Sequence, residues 1–379
     1  MNTVTPRVFI AATEQNDGKT TTSLGLFAAF RKRLGRIGYI KPVGQRFVTV
    51  DGMNIDEDSV LIDQTYKVHT PLEAMSPIAV EPDFTRKYIE EAHHESLVRR
   101  IRHSFDRAAW EKDFVIIEGS GHAGVGSVFD LSNASVARLL QSKVVLVTRG
   151  GIGRPVDEIA LNKALFQQEG VEVIGAIINK VLPSKFDLVR DFAGRGLARL
   201  GVELLGCIPE DPVLAKPTLG QICKSIRGRF LHGGERSRRQ VRKVVIGAMS
   251  TARVTDFFAP GTLIISPGDR EDILLAALTT VDRNAPDSHR LAGLVLSGDV
   301  LPDAPVLELL RNSHLPVISS PLDSYNVASN IHSMTIKTLP GDVEKIDKIQ
   351  TMIETGVSVD RLLQKIGVPQ RDGPSVTTR

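Results

Sequence analysis

The chain has 379 residues, 42% of them hydrophobic and 24% charged, with a formal net charge of +3 at pH 7. That composition excludes a disordered, collagen-like or coiled-coil chain, leaves room for two to three domains of roughly 150 residues, and offers no apolar run of about 18 residues for a membrane span. Cysteine occurs only at Cys207 and Cys223, too few for a disulfide framework or a four-cysteine zinc site. The small net charge leaves any affinity for polyanions to local clusters. The opening Met1 to Ile10 has neither a basic leader nor a long apolar stretch, so no secretory signal is expected and the expected location is cytoplasmic.

In chain order, apolar β-branched runs fall at Arg7–Ala12, Ile37–Ile40, Phe114–Ile117, Lys143–Val147, Val173–Ile178 and Leu204–Ile208, separated by segments of helical periodicity. This is the βαβ rhythm of a parallel sheet covered on both faces. Between the second and third runs, Tyr88, Ile89, Leu97, Val98, Ile101 and Phe105 recur at helical spacing and predict one amphipathic helix or a pair. His93-His94 has no metal-ligand spacing.

The texture changes after Pro209. Six arginines between Lys224 and Lys243, opposed only by Glu235 and broken by Gly233-Gly234, read as a solvated basic linker over 213–240. Phe230 is the one aromatic available there for base stacking, so nucleic acid is not an expected partner. A second α/β rhythm follows, with strands expected at Lys243–Gly247, Thr262–Ser266, Leu291–Ser297 and Val317–Ser319 and helices at Asp272–Val281 and Ala304–Asn312. Pro340-Gly341 marks a stop, then Val343–Ile353 and Val359–Ile366 read as helices and the tail from Gly367 as frayed. The expected division is therefore 1–212, a phosphate-loop domain; 213–240, the linker; 241–340, a smaller α/β domain; and 341–379, C-terminal helices and tail.

The chemistry concentrates where the first strand passes into a helix, through Thr13, Glu14, Gln15, Asn16, Asp17, Gly18, Lys19, Thr20 and Thr21. Backbone N–H groups of such a loop point inward at a helix N-terminus, where the positive end of the macrodipole already favours an anion. Lys19 can reach terminal phosphates and the Thr20 hydroxyl can join a Mg²⁺ shell. The phosphate-loop pattern asks for glycine where this chain has Thr13, but strand, loop and helix come in the required order. The metal also needs a hard carboxylate from elsewhere; Glu118, closing an apolar strand before Gly119-Ser120-Gly121, is the first candidate and Asp58 the second. Lys41, ending the second strand, can neutralise phosphate charge from the other side. Asn179, ending the fifth, can read a base edge or cap a turn.

From Pro6 to Pro212 these pieces resemble the dethiobiotin synthetase branch of the phosphate-loop proteins. The resemblance rests on the Thr13–Thr20 loop, Lys41-Pro42-Val43, Glu118-Gly119, Asn179 and Gly206-Cys207-Ile208-Pro209. It implies ATP and Mg²⁺ as cofactors. Thr13, Asn16, Asp17, Gly18, Lys19, Thr20, Thr21, Asn179 and Pro209 would hold the nucleotide, Thr20, Asp58 and Glu118 the metal, and Lys19 and Lys41 would act on the transferred phosphate. Gly44-Gln45-Arg46 and His122 depart from the synthetase pattern. Nearly the whole chain is more similar to the amino-terminal regulatory region of long phosphate acetyltransferases, in which a DRTGG domain follows. There Gly268-Asp269-Arg270 and Ser297-Gly298-Asp299 stand at the name-giving positions, making Asp269, Arg270, Ser297 and Gly298 candidates for a second ligand.

The expected fold is thus α/β, a P-loop NTPase doubly wound parallel sheet followed by a smaller DRTGG-like α/β domain. The expected function is a Mg-ATP-binding regulatory or accessory protein with weak ATPase activity, itself no acetyltransferase. The alternative is an ATP-dependent carboxylase or ligase of the dethiobiotin synthetase type. A partition ATPase is disfavoured by Glu14 at the signature lysine position, and an amidotransferase by the lack of a suitably placed cysteine. Expected partners are nucleotide, a small anionic effector or an acyl-transfer enzyme, and a second copy of the chain, with no membrane.

Overall fold

A computed structural model describes residues 1–279 and 291–368. Two compact units emerge: Met1–Asp211, rejoined by the chain from Thr338 onward, and Pro212–Lys337. No described helix is long and apolar enough to cross a membrane.

The first unit is built on a six-stranded sheet. Its strands are β1 (Arg7–Ala12), β2 (Ile37–Ile40), β3 (Phe114–Glu118), β4 (Lys143–Arg149), β5 (Val173–Val181) and β6 (Leu204–Pro209). The spatial order is β6-β5-β4-β1-β3-β2, with every pairing parallel. Every residue of β1 and β3 is buried, as expected of strands with helices on both faces, and this explains why they read as unbroken apolar runs rather than alternating ones. Chain order reverses about β1, so a crevice is expected at the carboxyl ends of β1 and its neighbours. The first helix, α1 (Lys19–Leu34), opens there. The expected amphipathic stretch is a pair, Phe84–Glu90 and His94–Ala109.

The C-terminal helices are an integral layer of this unit. Val343–Gly356 turns Ile346, Ile349, Met352 and Ile353 inward, and packs so closely on α1 that a Cβ on Gly25 would come within 2.2 Å of Ile353. Arg33 of α1 reaches Glu354 at 2.8 Å and Asp360 at 2.7 Å, while Arg361 and Lys365 meet Glu203 at 2.9 and 3.0 Å. Ile353→Ala would empty a fully buried site against a glycine with no side chain to fill the gap. It is expected to cost about 2–5 kcal/mol in urea unfolding of the first unit.

The second unit holds five strands: β7 (Arg229–His232), β8 (Lys243–Ile246), β9 (Thr262–Pro267), β10 (Gly293–Ser297) and β11 (Val317–Ser319). Their order is β7-β11-β10-β9-β8, parallel except for β7, which lies antiparallel on β11. Here the expected linker over 213–240 is corrected. Thr218 and Gln221 form a capping box that opens the helix Leu219–Ser225, whose Leu219, Ile222 and Cys223 are buried, and the edge strand β7 follows. The arginines misled because they cover carbonyl groups: Arg236 donates to His314 O at 2.6 Å and Arg239 to Leu291 O at 3.1 Å. The second unit thus begins at Pro212 rather than at 241. The helix expected to reach Val281 is Glu271–Thr279; Val281 and the tail beyond Val368 lie outside the described residues.

Candidate functional site

At the mouth of α1, Asn16 at φ 66° and Gly18 at φ 100° occupy the left-handed region and turn the chain from β1 into the helix. The helix has no acidic side chain in its own first turn and no side-chain cap at Gly18, so its N-terminal N–H groups are not taken up by its own cap residue. The loop is tied from within. The Asp17 carboxylate accepts from the Thr13 hydroxyl at 2.9 Å and from the Glu14 N–H at 2.8 Å. The Thr13 N–H donates to Val147 O at 2.9 Å, and its hydroxyl also lies 2.8 Å from Glu158 Oε2. Both Thr13 and Asp17 are buried, so their side chains knit the loop together, and burial holds the Asp17 pKa above its ordinary value.

A second clamp comes from the end of β5. Asn179 Nδ2 donates to Asp17 O at 2.9 Å, its Oδ1 accepts the Lys180 N–H at 2.9 Å, and Lys180 Nζ donates to Asn16 O at 2.6 Å. Of the two roles open to Asn179, the turn-holding one is the one its hydrogen bonds fill. Asn179→Ala would strand the buried Asp17 carbonyl and is expected to cost about 1–3 kcal/mol on chemical denaturation. Thr21 stands in the first turn of α1, and Pro209 ends the edge strand β6 beside Val181.

The opposite wall gathers charge. The Thr20 hydroxyl donates to Glu118 Oε1 at 2.9 Å and the Tyr39 hydroxyl to Glu118 Oε2 at 3.1 Å. Lys41 Nζ hydrogen-bonds the Asp58 carboxylate and lies 3.0 Å from Asp56 Oδ1 and 4.0 Å from Glu118 Oε1. A short hairpin, Phe47–Val50 with Met53–Asp56, brings the two aspartates there, and Asp56 caps the helix Glu57–Tyr66 by accepting the Asp58 N–H at 2.9 Å. Burial, seconded by Asp58, raises the Glu118 pKa. Burial likewise raises that of Asp56. For Lys41 burial works against the charge, but Asp58, Asp56 and Glu118 outweigh it and its pKa rises. Lys19, nine-tenths buried, is pulled down by desolvation against the attraction of Glu118.

Thr20, Lys41, Asp58 and Glu118, all expected from the sequence, are brought together by the fold; Tyr39 is not among the expected residues, and the sequence reading prefers Asp58 to its neighbour Asp56, which also meets Lys41. The hairpin had a signal in Asp51-Gly52, both at positive φ (49° and 78°), the turn chemistry that reverses a two-residue hairpin.

In the second unit the turns after β9 and β10 adjoin: a Cβ on Gly268 would fall 2.2 Å from Val300 O. Arg270 is paired with Asp272 at 2.9 Å, not with Asp269, and also donates to Gly247 O and Met249 O at 3.3 and 3.1 Å. Ser297 Oγ lies 2.8 Å from Ser324 Oγ, and the Gly298 N–H donates to Leu322 O at 2.8 Å. These groups fasten the turns, and Asp269 is exposed.

A family model described as an AAA domain, AAA_26, matches residues 6–218, and one for the DRTGG domain matches residues 221–334. Among curated proteins, the chain is 29% identical to a phosphate acetyltransferase of Pseudomonas aeruginosa, over 96% of this chain and 52% of that protein. It is 26% identical to one of Nitrosomonas europaea, with the same coverage of 96% and 52%. The chain spans about half the length of these relatives. Among solved structures, it is similar to the septum site-determining protein MinD with Mg-ADP from Pyrococcus horikoshii, at 15% identity and TM-score 0.34 over 56% of this chain and 84% of that one. It is also similar to the CBS and DRTGG domains of a Clostridium perfringens pyrophosphatase with diadenosine tetraphosphate, at 23% identity and TM-score 0.26 over 38% and 61%.

Proposed function

The chain belongs to the AAA_26 family of AAA domains, and from that premise we propose that its first unit binds Mg-ATP and serves as a regulatory or accessory module for acyl-transfer chemistry. The observation that carries this reading is the hydrogen bond from Thr20, in the first turn of α1, to Glu118 at the end of β3, with Lys41 beside it. Helix N-terminal N–H groups would receive phosphate oxygens, and Lys19, largely buried at the same helix start, would meet them with its ammonium.

Among the described residues, no group of three or more carboxylate, histidine or cysteine side chains is arranged to hold a metal ion unaided. Mg²⁺ does not require one, since it takes one or two carboxylates and completes its shell with phosphate and water. Thr20, Glu118 and Asp58 fit that demand, and Asp56 Oδ2 is buried with no hydrogen-bond partner. Thr20, Asp58 and Glu118 would hold such an ion, whose part would be to neutralise phosphate charge. Glu118 is engaged by Thr20 and Tyr39, and Asp58 and one oxygen of Asp56 by Lys41, so these three carboxylates are held as counter-ions rather than as a free base to activate water. Hydrolysis is therefore expected to be slow. The link to acyl transfer is supported by the relatives, phosphate acetyltransferases of which this chain spans about half.

Calorimetric titration with ATP, with and without Mg²⁺, tests the reading. Lys19→Ala is expected to weaken Mg-ATP about 10- to 100-fold, the value of one charge-assisted contact. Equal affinity in wild type and variant would overturn it. Formation of a cyclic urea from a diamino acid, bicarbonate and Mg-ATP would instead favour an ATP-dependent ligase.

A further inference from the structure

We propose that Lys41 is a tethered counter-ion standing in for a divalent cation, and that it must release part of its carboxylate cluster before such a cation can settle on Thr20, Asp58 and Glu118. This rests on the phosphate-site reading above. Asp56, Asp58 and Glu118 converge on one ammonium, and all four side chains are at least nine-tenths buried. Three carboxylates face the Lys41 ammonium, and Lys19 acts on Glu118 and Asp58 from the loop side, so carboxylates outnumber ammonium groups, an imbalance of the kind a hard cation neutralises.

The ammonium sits 4.0 Å from Glu118 Oε1, the same oxygen that receives the Thr20 hydroxyl. An ion on that oxygen would have Lys41 as a close like charge, in surroundings too dry to screen it. The ammonium is therefore a barrier to bare metal. A triphosphate lifts the barrier, because it supplies new acceptors to which Lys41 can turn while the metal takes the oxygens it leaves. The chain would accordingly take metal and nucleotide together and refuse the metal alone. Lys41 thus acts as a positioning residue that couples the two loadings.

Electron paramagnetic resonance of Mn²⁺ without nucleotide provides the test, on wild type, Lys41→Met and Lys41→Arg. Lys41→Met is expected to bind Mn²⁺ at least tenfold tighter than wild type, and Lys41→Arg, which keeps the charge, no tighter than wild type. Lys41→Met that is folded by circular dichroism and binds Mn²⁺ no better than wild type would overturn the proposal. Should Lys41→Met unfold without metal, refolding in a Mn²⁺ series decides: saturable recovery supports the stand-in role, and no recovery overturns it. Wild type titrated with Mn-ATP in parallel separates the two ideas. Failure to bind nucleotide there sinks the phosphate-site reading, whereas nucleotide binding with unchanged Mn²⁺ affinity in Lys41→Met sinks only the role of Lys41.

Discussion

Gly18→Ala is expected to destabilise the first unit by about 2–4 kcal/mol and to abolish measurable nucleotide binding. Two independent effects add. A residue with a side chain held at φ 100° pays about 1–2 kcal/mol in backbone strain. Its Cβ would also fall 1.9 Å from Asn179 Nδ2. Asn179 would have to swing away, giving up its bonds to Asp17 O and to the Lys180 N–H, each worth about 0.5–1.5 kcal/mol. The two can be separated by combination. Once Asn179→Ala has removed the obstructing amide, Gly18→Ala should cost only its strain, so the double variant is expected to be more stable than the sum of the singles implies. Urea unfolding followed at Trp110, the sole tryptophan and a residue of the first unit, measures all three; strict additivity would show that the steric contact is not felt.

Glu118→Gln is expected to remove the Mg²⁺-dependent part of nucleotide binding while leaving the protein more stable at neutral pH. Burial, with Asp58 in support, sets the pKa of the fully buried Glu118 above its ordinary value of 4.5. A carboxyl that holds its proton more tightly when folded contributes stability below the unfolded value, and that contribution is lost as pH rises through the folded one. Glutamine has no proton to lose. The variant should therefore match wild type near pH 4.5 and gain on it as pH increases, by about 0.5–2 kcal/mol at neutral pH. Denaturation series at pH 5 and pH 8 give the comparison. A variant less stable than wild type at pH 8 would mean that Lys41 needs the third carboxylate more than the fold is burdened by it.

Much of the architecture could be read from the chain because its decisive signals are local. β1 and β3 announce themselves as β-branched runs buried on both faces, and the passage from Ala12 to Thr20 carries its own order of strand, loop and helix. That Glu118 should approach Thr20 follows from sheet logic, since Glu118 ends β3, Thr20 opens the helix that follows β1, and the two parallel strands are paired with Ile10 against Glu118. The surroundings of Lys41 were not legible in the same way. An ammonium at a strand end looks solvated until the hairpin after Arg46 delivers Asp56 and Asp58, and the Asp51-Gly52 turn marks that hairpin without telling which side chain it will pack against. Residues 213–240 misled for the opposite reason: their charge is conspicuous, whereas the carbonyl groups that absorb it lie fifty or more residues away at Leu291 and His314. Docking of Val343–Gly356 on α1 depends on a glycine at position 25, whose meaning emerges only once Ile353 is seen above it.

The second unit is spliced into the first rather than strung after it, and this has a consequence for synthesis. As the chain leaves the ribosome, the sheet and the phosphate loop are complete by Asp211, yet the apolar side of α1 stays uncovered until more than a hundred further residues have been made and Ile349 and Ile353 arrive. Throughout that interval the nascent first unit exposes a greasy stripe, a species that invites chaperones or aggregation. Fragments cut at the apparent domain boundary would inherit the same exposed stripe permanently, so a soluble nucleotide-site fragment would need its C-terminal helices stitched directly onto Asp211.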